Sequence, residues 1–109
     1  MVKPGRDEVW LVSLDPARGS EIQKTRPCLI VSPDEMNQHL RTTIVAPMTT
    51  TERPYPTRVN LTFQGKRGQV AVDQLRAVDG QRLVRKLGKV SAKTATAVSS
   101  VLVEMFVRQ

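Results

Sequence analysis

The sequence is poor in the residues that metal, disulfide and cofactor chemistry require. Its 109 residues include one cysteine, Cys28, and one histidine, His39. A single cysteine cannot close an internal disulfide or build a structural zinc site, so nothing argues for secretion. A single imidazole excludes two-histidine catalysis and any multi-histidine metal site. Only four aromatics occur, Trp10, Tyr55, Phe63 and Phe106. Phe63 and Phe106 read as packing residues, which argues against a multi-ring platform for stacking bases. No stretch approaches the ~18–20 apolar residues that cross a bilayer. The opening Met1–Glu8 has no apolar core of the signal-peptide kind. The expectation is a soluble, cytoplasmic protein, without membrane association. Neither GxGxxG nor a GxxxxGK(S/T) phosphate loop is present, and there is no internal repeat or low-complexity tail.

Positive charge is abundant. Seventeen Lys and Arg stand against ten Asp and Glu, a net charge of +7. Such an excess attracts polyanions, whether nucleic acid, an anionic membrane or an acidic protein. The length suits one domain spanning 1–109, able to hide roughly two-thirds of the surface its unfolded chain exposes.

Hydrophobic patterning predicts a mainly β or α+β chain. Residues 8–14 are β-rich and apolar on both alternating faces, as in a strand covered on each side. Asp15-Pro16 and Gly19-Ser20 open a polar loop reaching about Thr25, long for a hairpin connection. Pro27–Val31 reads as a second buried strand. Ser32-Pro33-Asp34-Glu35 then carries a helix-start signature, with Ser32 as cap and Glu35 completing a capping box, for a short helix over 33–39. Thr42–Thr49 reads as a strand whose Pro47 implies an edge or a bulge. Arg58–Phe63 alternates with Val59, Leu61 and Phe63 inward, and Gln69–Leu75 reads as the next strand. Leu83, Val84 and Leu87 suggest a short helix stopped by Gly88. Val98, Val101, Leu102, Met105 and Phe106 form one stripe of a C-terminal helix capped by Ser91. Val103 and Val107 make a second apolar pair suited to a subunit contact. The sum is five or six antiparallel strands, a short inserted helix and a C-terminal helix, in the style of a small open barrel.

Three segments carry residues suited to chemistry, and each also has a structural reading. In Gly19–Pro27, Arg26 is either anchored to a nearby carboxylate or held by Pro27 at a strand entrance. There its planar, permanently charged guanidinium could grip a phosphate through two N–H groups. Met48-Thr49-Thr50-Thr51 is either a polar strand end or a row of hydroxyls able to donate to phosphate oxygens. Asp73, read as mid-strand, is costly unless paired or exposed in a cleft. An ion pair with an arginine is the common solution, a site carboxylate the rarer one. Arg85, Lys86 and Lys89 read as a solvated basic face that could extend a polyanion track. His39 reads as a surface residue, and Cys28 as an inert core residue.

The order of these motifs resembles the MazF/PemK (Kid) family of toxin endoribonucleases from bacterial toxin–antitoxin modules. The resemblance runs through Val9–Pro16, Gly19-Ser20-Glu21, Arg26–Pro33 with Asn37, Ile44–Thr50 and Asp73–Asp79. It implies an SH3-like barrel of the CcdB/MazF type, a homodimer, and an acidic MazE-like antitoxin as partner. It also implies cofactor-free, metal-independent cleavage of single-stranded RNA at a short sequence, leaving a 2′,3′-cyclic phosphate and a 5′-hydroxyl. The family's catalytic arginine and threonine fall on Arg26 and Thr49. Ser20, Lys24, Thr50, Arg58, Gln74 and Arg76 are the accompanying candidates for RNA contact. Glu21 and Asp73 are the carboxylates available for proton transfer, and the pattern leaves the choice between them open. Where the Kid branch has an arginine two residues before the Asp this chain has Ala71, and after Gly19 it has Ser20 in place of His. Both departures favour a MazF-like arrangement centred on Arg26 and Thr49. The alternative is a binding module on the same barrel, either a non-catalytic RNA binder or a gyrase-poisoning toxin like the CcdB relatives.

Overall fold

In the computed structural model, which describes residues 3–108, strict alternation along the central strands builds two cores rather than one. Strand β1 (Glu8–Ser13) sends Val9 to one face of the sheet and Trp10 and Val12 to the other. Strands β2 (Thr25–Ile30) and β3 (Thr42–Thr49) repeat this division, with Leu29 and Ala46 on the first face and Cys28, Ile30 and Val45 on the second. Period-two geometry requires it, because successive side chains leave opposite faces.

The remaining elements are α1 (Asp34–His39), β4 (Arg58–Phe63), β5 (Lys66–Ala71), β6 (Arg76–Asp79), β7 (Leu83–Lys89) and α2 (Ala92–Phe106). The seven strands form one curled antiparallel sheet in the order β4-β5-β3-β2-β1-β7, with β6 also on β3. It is a mostly β half-barrel with a C-terminal helix. Helix α2 covers the first core with Val98, Val101, Leu102 and Met105. Its Ser, Thr and Val positions cost about 0.5 kcal/mol each in propensity. Burying each large apolar side chain returns about 1.5–3 kcal/mol, so packing decides the helix. Ser91 caps it as expected, accepting from the Thr94 N–H at 3.2 Å.

Several expectations are corrected. The described residues form seven strands, not five or six. Leu83–Lys89 is a strand rather than a short helix: it pairs with β1 through two register shifts, which turn Leu83 and Leu87 to opposite cores. The β5 strand ends at Ala71, and Val72–Gln74 is a 3₁₀ turn, so Asp73 is not mid-strand. Pro47 is buried in a central strand, at the point where one edge of β3 passes from β6 at Val45 to β5 at Met48. Ladder pairing on that edge is already interrupted there. Ser32 does not cap α1. Its buried hydroxyl is shared with Asn37, Thr43 and the Ile44 N–H, and Pro33 occupies the cap position. Phe106 is not a packing residue but 66% exposed, beside exposed Val103 and Val107.

Candidate active site

Register brings Arg26 and Thr49 together. Antiparallel pairing of β2 with β3 sets Cys28 opposite Pro47. The paired stretch ends there, two residues short of Arg26 on β2 and of Thr49 on β3, and both of these residues line the same two cavities. The Arg26 Nε–H donates to the Gln23 carbonyl at 2.7 Å, which fixes the plane of the guanidinium. No carboxylate of the described residues lies within ion-pair distance of it. Its two terminal nitrogens therefore keep their charge unmatched. The Thr49 Oγ1 accepts from the Thr51 N–H at 3.1 Å, leaving the hydroxyl proton available to a ligand.

The larger of these cavities is a cleft of about 560 Å³ between two loops, Gly19–Lys24 and Thr51–Tyr55. Ser20, Glu21, Lys24, Arg58, Asp73 and Gln74 all face it. A smaller cavity of about 290 Å³ lies on the other side of Arg26 and Thr49, against Thr50, Leu61, Phe63 and Lys66. A third, of about 610 Å³, adjoins the cleft through Ser20, Glu21 and Gln74 and reaches Arg18 and Arg76. The sequence candidates thus gather around three adjoining hollows, with Arg26 and Thr49 shared between two of them.

Individual environments separate their roles. Arg58 donates from Nε to Asp73 Oδ1 at 2.7 Å and from Nη2 to Oδ2 at 3.3 Å, while the Thr57 hydroxyl donates to Oδ1 at 3.1 Å. Only 7% of the Arg58 side chain is exposed, and its guanidinium lies 5.2 Å from the Tyr55 ring centre. Burial alone would raise the Asp73 pKa, but the hydrogen bonds from Arg58 and Thr57 outweigh it and hold the carboxyl below its ordinary value. Asp73 is therefore a saturated anion. Glu21 is exposed and accepts from the Arg18 N–H. Lys24 sits in the left-handed region at φ 72, its N–H given to Asp15 Oδ1, and turns the chain into β2. Arg76 donates to the Leu14 carbonyl. Gln74 gives both ends of its amide to the backbone of the first loop.

Sequence reading passed over Gln69, Arg53 and Tyr55. The signal for Gln69 was present: an amide in an otherwise apolar run, Gln69–Val72, needs a buried partner. Burial pushes the Cys28 thiol up to about 12 despite nearby Arg76 and Arg26, so it stays protonated and inert. Among the described residues, no group of three His, Cys, Asp or Glu side chains is placed to hold a metal ion, and no helix is long and apolar enough to cross a membrane.

Residues 5–106 match the family described as PemK-like, MazF-like toxin of type II toxin–antitoxin system. The endoribonuclease MazF9 of Mycobacterium tuberculosis is 36% identical over 97 residues, covering 80% of this chain and 82% of that protein. The endoribonuclease PemK of Escherichia coli is 43% identical over 90 residues, covering 73% and 68%. Among solved structures, MazF from Deinococcus radiodurans superposes with a TM-score of 0.86 at 25% identity, over 96% of this chain and 97% of its own. A mycobacterial endoribonuclease in complex with its cognate antitoxin gives 0.79 at 26% identity, over 93% and 92%. With the half-barrel, the C-terminal helix and nearly the whole length matched, the chain belongs to the PemK-like, MazF-like toxin family of type II toxin–antitoxin systems.

Proposed function

We propose that this chain, as a toxin-family endoribonuclease, cleaves single-stranded RNA in the cleft between the Gly19–Lys24 and Thr51–Tyr55 loops, without a metal ion. A ribose 2′-hydroxyl attacks the adjoining phosphorus. The new P–O2′ bond forms as the P–O5′ bond breaks, the 2′ proton is lost, and a proton is delivered to the departing 5′ oxygen. The products are a 2′,3′-cyclic phosphate and a 5′-hydroxyl. DNA lacks the internal nucleophile and is left intact.

One observation carries this reading: a guanidinium with two unmatched nitrogens and a threonine hydroxyl, on neighbouring strands, both line the wall shared by two cavities. Arg26 neutralises charge building on the phosphorane, and Thr49 donates to the same phosphate, as preorganised donors do. Glu21 is the carboxylate free to move a proton. Asp73 instead holds Arg58 in the cleft wall. Lys24 and Arg76 set a positive field along the path of the strand, while Arg58, its charge matched by Asp73, shapes the wall rather than gripping phosphate, with Ser20 and Thr50 supplying polar contacts.

The net charge of +7 suits an acidic antitoxin segment that occupies the same cleft and blocks it. The mycobacterial relative solved with its cognate antitoxin supports such a partner. The active form is a cytoplasmic homodimer, each chain a single domain over 1–109.

Incubating the protein with a long single-stranded RNA and with DNA of the same sequence, both in excess EDTA, tests the proposal. New RNA ends bearing 2′,3′-cyclic phosphate and 5′-hydroxyl, with DNA untouched, are expected. RNA that is shifted on a gel yet intact would make the chain a binder instead.

A further inference from the structure

Two glutamines stand beneath the two loops that form the cleft, and each bonds its loop in the way a neighbouring strand would. Gln69, in β5 and only 5% exposed, accepts the Arg53 N–H on Oε1 at 3.0 Å and donates from Nε2 to the Arg53 carbonyl at 3.0 Å. One residue's N–H and C=O are thus both satisfied by one side chain, the pattern of a hydrogen-bonded pair in an antiparallel ladder. The Arg53 N–H and C=O fix which end of the amide is which, and Nε2 also donates to Asn60 Oδ1 at 2.9 Å. Gln74, in the 3₁₀ turn after β5, bonds two residues of the other loop, spaced as a parallel neighbour would bond them. Its Oε1 accepts the Ile22 N–H at 2.8 Å and its Nε2 donates to the Ser20 carbonyl at 3.1 Å.

Neither loop contains a strand or helix of its own over the segments held, 20–22 and 53. Backbone groups in such segments need partners from elsewhere, and here the side-chain amides supply them. Both loops face the cleft where Arg26 and Thr49 meet. We infer that Gln69 and Gln74 are positioning residues: they act as surrogate strand partners that hold the two cleft loops in one conformation, and so determine which RNA sequences fit. The inference rests on the reading of the cleft as the RNA site. It also gives Gln74 a task other than direct contact with a base, since both ends of its amide are already occupied.

An isosteric change separates this role from bulk stability. In Gln69→Glu and Gln74→Glu a carboxylate still accepts the loop N–H but confronts the loop carbonyl with a second acceptor. The wild-type chain and both variants are compared by cleavage of a defined single-stranded RNA over a range of RNA concentrations, and by sequencing the 5′ ends produced from a long RNA. Circular dichroism confirms that each variant is folded. We expect KM to rise about tenfold, the change that loss of one hydrogen bond carries, with a smaller change in kcat and a broader set of cut sites. Unchanged KM and an unchanged cut-site pattern would overturn the inference. So would a fall in kcat alone with the same pattern, which places the defect in the chemical step rather than in the fit of the RNA. Should Gln69→Glu fail to fold, the half-buried Gln74→Glu decides the question by the same criteria. A wild-type chain that leaves RNA intact would instead sink the RNA reading itself.

Discussion

Glu8 and Asp73 are two carboxylates whose titration the fold shifts. Burial would raise the Glu8 pKa, but hydrogen bonds from Trp10 Nε1 at 2.9 Å and the Gly5 N–H at 2.7 Å, with Lys86 at 2.9 Å, hold it below its ordinary 4.5. Asp73 is held below 3.8 by Arg58 and Thr57. Both folded values lie under the unfolded ones, so their contribution is complete above about pH 5 and fades as pH falls through the depressed values. Thermal melts followed by circular dichroism should show a midpoint that is level above about pH 5 and declines below it. Glu8→Gln should make that decline shallower. At Arg58 the expectation is different: Arg58→Ala leaves Asp73 without its partner and should cost about 1–3 kcal/mol of stability in a denaturant titration. An unchanged midpoint would mean that water replaces the guanidinium without loss. The placement of Arg26 and Thr49 at strand ends was legible from sequence, because each adjoins a strongly patterned strand. For Gln69 the need for a buried partner was legible but the partner was not, because Arg53 lies on an irregular loop whose path no periodicity describes.

Among the elements, β5 shows how closely the site is built. Gly68 has no side chain because a Cβ there would stand 2.7 Å from the Thr49 carbonyl oxygen. That contact is with backbone and cannot be relieved by a rotamer change. Gly68→Ala should therefore push β5 away from the end of β3, costing about 1–3 kcal/mol as overpacked sites do and lowering cleavage more than a substitution on the outer face of β4. Comparing stability and rate for Gly68→Ala and Thr62→Ala checks this. Equal rates would show that the β3–β5 approach does not position Thr49. Strands with clean alternation, such as β1 and β4, could be read directly. The β7 strand could not: its two register shifts replace a period of two with a spacing that imitates a helical turn. The 3₁₀ turn at Val72–Gln74 was hidden for a related reason, since three residues leave no period to detect. Reading a strand through Leu75 put Asp73 in the middle of the sheet, whereas it sits in the turn just beyond β5.

At the scale of the whole molecule, a sheet with a core on each face has little free surface of its own, and the proposed RNA site falls to the loops. Its cations then act together. If the strand of RNA crosses the cleft and the adjoining cavities, several phosphates are neutralised, and each contributes about 0.7 to the slope of log affinity against log salt. Three such contacts predict a slope of about −2, measurable by fluorescence anisotropy with an uncleavable RNA. A flat response would mean that the positive field does not guide binding. Charge and barrel-like patterning were visible in the sequence, whereas the shared wall between the two cavities depends on the β2–β3 register and was not. The most direct test of the central claim is single-turnover cleavage of a short RNA by the wild-type chain, Arg26→Ala and Thr49→Ala in EDTA, with RNA affinity measured alongside. Folded variants that bind RNA yet cut it roughly 10²–10³ times more slowly are predicted. Wild-type cleavage rates in both would contradict the account.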